Sequence, residues 1–471
     1  MSPGVATVTY ALGILALFWL DRDPKVRTSA ALWVPVFWLA LAGSRSVAQW
    51  LLVGQPMARY SPDQLEEGSP IDRLVYTSLL VVGLIVLASR SRQVGKLLRA
   101  NGPILLFFLY CVISLLWSDY PDVAFKRWTK ALGDLVMVLV VLSEREPIAA
   151  VRRLLARTAF LLIPLSILFI KYYPELGKGY GVWDWKAFYT GVTTNKNTLG
   201  VICLFLGLGS VWRLLAAFTR QEDTGRTRQM IAQGAVLAMV LWLFWIANSM
   251  TSFSSFFLGS AVLTLTNFRG IIRRRAVVHV LVAAIVSGSI AVLFLGMAPG
   301  VLSTIGRDPT LTDRTGIWGT VLDLTRNPFV GTGFESFWLG PRLPKIWSLY
   351  RWQPLEAHNG YIEVYVNLGW TGMALLAVVI ATGYRTVIAA WRRNPPVGSL
   401  MVTYFVVGVV YNFTEAAFFR MMAPAWILFL LAITRVPELP FGRSEDQAKS
   451  LDVPFVPIWE QAETTLSEEI V

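Results

Sequence analysis

TLGVICLFLGLGSVWRLLAA, residues 198–217, contains a single charged side chain in twenty. As a helix it would rise about 30 Å, the depth of a bilayer's hydrocarbon core. Apolar runs of this kind recur near 4–20, 30–52, 74–89, 103–117, 128–142, 154–170, 230–247, 251–267, 277–296, 365–383, 398–412 and 420–434. They predict an all-α polytopic integral membrane protein with about 12–13 transmembrane helices. Composition agrees: 55% of residues are apolar, 15% are charged and the mean hydropathy is +0.54, unlike a soluble domain. The first run, Gly4 to Leu20, lacks a preceding basic stretch and a small-residue cleavage pattern before Asp21. It therefore reads as a retained span. Cys111 and Cys203 lie within apolar runs and read as small hydrophobes, with no disulfide framework and no metal site.

Basic clusters occupy alternate joints, among them Arg90/Arg92/Lys96/Arg99, Arg220/Arg226/Arg228 and Arg385/Arg392/Arg393. Short basic joints belong in the cytoplasm. This places the amino terminus and the loops near 55–73, 118–127, 171–197 and 297–364 outside. Residues 1–434 form the membrane domain, and 435–471 form a polar, mobile cytoplasmic tail. The net charge of +12 follows largely from this topology. No nucleic-acid motif accompanies it. The chain shows no internal repeat, which disfavours the inverted-repeat transporter plan.

The longest external loop is rich in polar signals. Thr312 or Asp313 can cap a short helix running to Asn327, where Pro328 stops it. At helical spacing Arg314 shares a face with Trp318 and Val321, so its guanidinium lies on the apolar stripe and needs an anionic partner. Lipid headgroups, a ligand, or a carboxylate such as Asp313 or Glu335 would serve. Arg307, beside Asp308, is the loop's second cation able to converge there, and an ion pair with Asp308 fits equally well. In the loop ahead of residue 198, Lys196 stands between Asn195 and Asn197. Its ammonium can bind phosphate as a point charge or anchor at headgroup level.

In LEAHNGYIEVYVNLGW, residues 355–370, Asn359, Glu363 and Asn367 recur every four residues on the outer half of a span. Such a polar stripe should face protein or a cavity, not lipid. His358 lies at the start of that helix. A helix amino terminus disfavours the imidazolium and leaves a neutral imidazole able to accept a proton, although simple capping fits the same pattern. The other histidine, His279, follows RRRAVV and reads as a headgroup contact.

DRTGIWGTVLDLTRNPFVGTGFESFW (313–338) followed by AHNGYIEVYVNLGWTGMALL (357–376) resembles the signature of the O-antigen ligase and Wzy-type polymerase superfamily. WSDYPDVAFKR (117–127) and TTNKNTLG (193–200) are similar to its exopolysaccharide polymerase branch. The resemblance implies a metal-independent, inverting glycosyltransferase without cofactor, acting at the external face of the bacterial cytoplasmic membrane. Its donor would be a polyprenyl (undecaprenyl) diphosphate-linked oligosaccharide, and its acceptor a glycan. A chain-length regulator and export machinery are the protein partners that it implies. By motif match His358 activates the acceptor hydroxyl and Arg314 holds the diphosphate. Lys196 stands where the family has an arginine, and a lysine lacks the bidentate fork.

Glu363 and Asn359 suit hydroxyls of an acceptor sugar. Trp318, Trp338 and Tyr361 either stack on a sugar face or pack the loop's own core. A ligase acting on a lipid A core shares this chemistry and differs in acceptor. A flippase for the same lipids would need ionisable groups deep in the spans, where Asp134 is the main acidic candidate.

Overall fold

Hydrocarbon offers backbone groups no water, so the apolar runs settle as helices that satisfy their own hydrogen bonds. The computed structural model describes residues 1–23, 28–52, 68–180, 186–218, 224–268, 270–271, 274–294 and 314–437. Arg307 and the tail from 438 lie outside the described residues. The amino-terminal helices are α1 (Pro3–Leu20), α2 (Trp33–Ala42), α3 (Val47–Leu51), α4 (Pro70–Ser89), α5 (Ser91–Ala100) and α6 (Gly102–Ile113). There follow α7 (Pro121–Leu142), α8 (Pro147–Tyr172) and the short α9 (Pro174–Gly177). A small antiparallel hairpin, β1 (Lys178–Tyr180) with β2 (Ala187–Tyr189), pairs Lys178 with Tyr189. Next come α10 (Lys196–Phe218), α11 (Thr224–Ala247), α12 (Met250–Asn267) and α13 (Arg275–Phe294). The chain continues through α14 (Arg314–Asp323), α15 (Arg342–Leu349), α16 (Gly360–Arg393), α17 (Pro395–Tyr411) and α18 (Pro424–Ile433).

The architecture is all-α and polytopic. Among the described residues six helices are long and apolar enough to cross a bilayer: α1, α4, α8, α10, the Gly225–Ala247 part of α11, and α16. A seventh arises if α5 and Gly102–Trp117, bent by 87°, count as one. Ala30–Ala42, Ala276–Ala291, α17 and α18 are apolar but only 10–17 residues long, and ten residues rise just about 15 Å. Every residue of α18 is buried, so protein and not lipid surrounds that short run. The outer helices α1 and α4 are only 11% and 22% buried, whereas α8 and α10 reach 72% and 67%. Aliphatic side chains of α1 and α4 are accordingly exposed, Val5, Leu12, Leu74 and Ile85 among them.

Polar contacts gather at the two ends of the bundle. At the basic end, Arg90, between α4 and α5, donates to Glu144 at 2.6 Å and to the Ser29 hydroxyl at 2.8 Å. The Ser29 amide donates to the same carboxylate at 3.0 Å. Arg213 pairs with Asp21 at 2.6 Å, and Asn101 exchanges hydrogen bonds with the Arg435 backbone. The His279 ring meets the Tyr384 hydroxyl at 2.5 Å and Arg392 at 3.1 Å, tying α13 to α16. At the opposite end Arg342 reaches Asp119 at 2.7 Å, and the Ser118 and Ser336 hydroxyls meet at 2.7 Å. Deep between them, Asp134 accepts from Trp38 Nε1 at 2.7 Å and from the Met422 amide at 3.1 Å. Both of its oxygens are thereby engaged.

Burial opposes ionisation of Glu144, yet hydrogen bonds from Ser29 and the charge of Arg90 outweigh it and hold the pKa below the usual 4.5. The depressed value means that this carboxylate stabilises the fold above the unfolded pKa and loses that contribution as pH falls through the folded one. Glu144→Ala is expected to lower stability by about 3 kcal/mol near neutral pH, because Arg90 loses a buried partner. The deficit relative to wild type should shrink on acidification, as read by thermal unfolding in detergent across pH. A constant deficit would contradict this assignment.

Candidate active site

The site is organised by a break in α16. Gly369 adopts φ 65° and ψ −164°, a region essentially closed to residues with a side chain. The broken turn exposes backbone groups that hydrocarbon cannot satisfy. The segment Pro328–Gly333 lies against it and supplies partners. The Trp370 and Thr371 amides donate to the Pro328 and Phe329 carbonyls at 2.8 and 3.0 Å, and the Thr332 and Gly333 amides donate to the Val366 and Asn367 carbonyls at 3.2 and 2.8 Å. A Cβ on Gly331 would stand 2.4 Å from the Asn367 carbonyl carbon, and one on Gly369 would stand 2.3 Å from that of Phe329. The Asn-Pro and Gly-x-Gly-Phe motif residues are thus the plug of a broken helix.

Above the plug the loop has its own apolar core of Ile317, Trp318, Val321, Phe337, Trp338, Leu343 and Ile346. Trp318 donates its Nε1–H to the Ala357 carbonyl at 2.8 Å, and Trp338 donates to Glu363 at 2.9 Å. The Tyr361 ring stacks on Phe413, and its hydroxyl donates to the Val409 carbonyl at 3.1 Å. All three aromatics make packing or hydrogen-bonding contacts within the protein, and Trp338 also lines the cavity described below. Arg314 is the first residue of α14, one turn before Trp318.

The polar stripe faces protein, as its depth requires. Asn359 caps α16, accepting from the Tyr361 and Ile362 amides at 3.0 and 3.1 Å, and is itself buried. His358 is therefore not the cap. The Glu363 carboxylate accepts from Trp338, from the Ala357 amide at 2.5 Å and from Asn367 at 3.3 Å. Asn367 Oδ1 accepts from the Ser336 and Phe337 amides at 2.9 and 3.0 Å.

His358 precedes the cap with φ 51°, and its side chain retains 18% exposure. Nδ1 lies 3.0 Å from Glu415 and 3.1 Å from Glu356. Carboxylates only accept, so the proton belongs on Nδ1 and Nε2 is left as the basic nitrogen. Arg420 binds the other oxygen of Glu356. The ligand atoms of Glu356, His358 and Glu415 lie within 4.8 Å of one another, a donor set able to hold a metal ion. The Arg420 guanidinium already offsets one of its charges.

Beside this cluster is a cavity of about 290 Å³ lined by Arg127, Glu335, Trp338, Glu363, Asn367 and Arg420 together with apolar residues. Lys196 is exposed at the start of α10. Trp212 Nε1 donates to the Pro396 carbonyl at 2.5 Å, and the Tyr404 hydroxyl donates to that of Phe205 at 2.8 Å, so α10 and α17 run antiparallel. Lys196 thereby emerges at the same end as Glu415, though no contact joins it to His358.

Sequence reasoning missed Glu356, Glu415, Arg420 and Arg127. Glu356 sat within the quoted His358 stretch, and Arg127 within WSDYPDVAFKR. Glu415 lies 57 residues beyond His358, with no local pattern to announce it.

Residues 187–377 match the model of a family described as O-antigen ligase. The chain is 26% identical over 290 residues to the exopolysaccharide production protein ExoQ of Rhizobium meliloti (strain 1021), covering 59% of this chain and 63% of that protein. It therefore spans less than two thirds of that relative. It is 22% identical over 356 residues to the "Putative polysaccharide ligase RC0486" of Rickettsia conorii, covering 73% of this chain and 81% of that one. The segment that matches the family model includes Pro328–Gly333, His358 and the break at Gly369.

Gly369→Ala places a side chain where neither the backbone angle nor the space admits one. A cost of about 1–3 kcal/mol from the angle alone is expected, with loss of any activity that depends on the loop. Gly234, whose added Cβ would meet nothing within 4 Å, is the matched control. Thermal unfolding of both variants decides, and equal midpoints would refute the plug.

Proposed function

We propose that this membrane protein of the O-antigen ligase family is a polysaccharide polymerase acting as an inverting glycosyltransferase. It joins polyprenyl-diphosphate-linked oligosaccharide repeats into an exopolysaccharide or O-antigen-like chain at the external face of the bacterial cytoplasmic membrane. The observation that carries this reading is His358 at the outer mouth of a broken helix, with Nδ1 engaged by carboxylates, Nε2 left basic, and a polar cavity alongside. The positive-inside rule supports the external face for that end. Nε2 removes the acceptor hydroxyl's proton as the oxygen bonds to the anomeric carbon. The bond from that carbon to the diphosphate oxygen breaks, and the lipid diphosphate leaves with the electron pair. A diphosphate is already a good leaving group, so the protein has to supply a base, orientation and positive charge.

In this reading Arg314 and Lys196 supply positive charge for the departing diphosphate, with Arg307 as a further cation of the loop that holds Arg314. Glu363, satisfied by protein, lines the cavity that receives the acceptor sugar, and Asn359 caps the helix that carries it. The polymerase is preferred because the relative with the higher identity is an exopolysaccharide production protein. A ligase acting on a lipid A core is the second reading, favoured by the description of the matched family. A flippase is disfavoured because Asp134, the acid it would use, is engaged by Trp38 and Met422.

Purified protein in lipid with a synthetic polyprenyl-diphosphate oligosaccharide should lengthen chains. His358→Ala should slow lengthening by about 10²–10⁴-fold, the range of a general base, and Arg314→Ala should also cut it. Full activity in both variants would sink the site assignment, and transfer only onto an added lipid A core would select the ligase. In the same assay a chelator is expected to leave the rate unchanged. Loss restored by a divalent cation would instead make Glu356, His358 and Glu415 a metal site.

A further inference from the structure

The orientation of His358 is set by a segment 57 residues away in sequence. Its left-handed backbone, φ 51°, is one that histidine adopts more readily than most residues, and the ring faces the stretch between α17 and α18. That stretch is tightly held. Asn412 Oδ1 accepts from the Ala417 and Phe418 amides, each at 2.8 Å, and its Nδ2 donates to the Gly408 carbonyl at 2.8 Å. The Gly360 amide donates to the Asn412 and Glu415 carbonyls at 2.8 and 3.1 Å, locking the first turn of α16 to the same loop. A Cβ on Gly360 would lie 2.0 Å from Asn412 Oδ1, so only glycine lets the two segments approach this closely.

The outcome is a Glu415 side chain only 9% exposed, 3.0 Å from Nδ1. Glu356 is the other acceptor, but Arg420 holds its second oxygen and offsets its charge.

We propose that Glu415 is the positioning residue of the transfer: it accepts the Nδ1–H of His358, fixes that tautomer and ring orientation, and so presents Nε2 to the acceptor hydroxyl. The proposal rests on the reading of His358 as the base. When the hydroxyl proton reaches Nε2, the imidazolium forms beside Glu415, which stabilises it without taking a proton, as in carboxylate–histidine pairs generally. With Arg420 on its second oxygen, Glu356 is the weaker of the two carboxylates at Nδ1.

The test uses the full chain in lipid with the polyprenyl-diphosphate oligosaccharide donor, comparing wild type, E415Q, E415D, H358A and the double variant H358A/E415Q. E415Q should lower kcat by about 10²-fold or more with little change in the donor KM, and E415D should recover part of that loss. In the H358A background E415Q should cost nothing further, because residues acting as one unit are non-additive. Should E415Q fail to fold, the same cycle with E415D is expected to show a smaller kcat loss that also vanishes in H358A. Additive losses in either cycle, or wild-type kcat in E415Q, overturn the proposal. A fully active H358A overturns the reading beneath it, and the proposal with it.

Discussion

The hydrogen bonds across the break at Gly369 are the constraint on which the outer half of the molecule depends. A helix interrupted inside an apolar region leaves amides and carbonyls that lipid cannot satisfy. Here the Trp370 and Thr371 amides and the Val366 and Asn367 carbonyls are paired to Pro328–Gly333. The loop is thus bonded into the helix instead of resting on it. Its own core of Ile317, Trp318, Phe337 and Trp338 follows from that anchorage, as does the wall of the cavity. Tyr110 on α6 donates to the Leu368 carbonyl at 3.1 Å, so the break also ties α16 to a neighbouring helix.

A second dependence follows from the first. Trp338, held by the loop, donates to Glu363, which accepts the Ala357 amide immediately before His358. The Asn359 cap and the Asn412 loop fix the other side. His358 therefore sits in a backbone pinned from both directions, by the plugged loop and by the turn between α17 and α18. Small errors in placing a base cost large factors in rate, and two independent anchors are a physical means of avoiding them.

The sequence made the periodic features legible. Runs such as 198–217 announced helices, and the four-residue spacing of Asn359, Glu363 and Asn367 correctly put their side chains toward protein, because helical geometry alone fixes both. Span length was less legible: α18 is as apolar as any run, yet it is a buried ten-residue helix, and hydropathy does not distinguish a protein interior from lipid. The glycine motif was recognisable as a signature, but its mechanical meaning required knowing that Gly331 lies against Asn367 and Gly369 against Phe329, pairs far apart in the chain. Glu415 and Arg420 were invisible for the same reason. Long-range pairing of single side chains leaves no periodic trace.

A broken membrane helix invites a transporter interpretation, since discontinuous helices often present their free backbone groups to ions and substrates near the bilayer midplane. In this protein the groups freed at Gly369 are bonded to Pro328–Gly333, so they are not available to a passing solute. Asp134 is similarly spent on Trp38 and Met422. The polar groups that remain with access to space, His358 and the lining of the cavity, are gathered at one end of the bundle in a frame fixed by buried hydrogen bonds. Alternating access requires one part of such a site to move against another, whereas bond-making chemistry requires that the parts stay put. The break, plugged by its own loop, supplies the rigidity that the second case needs.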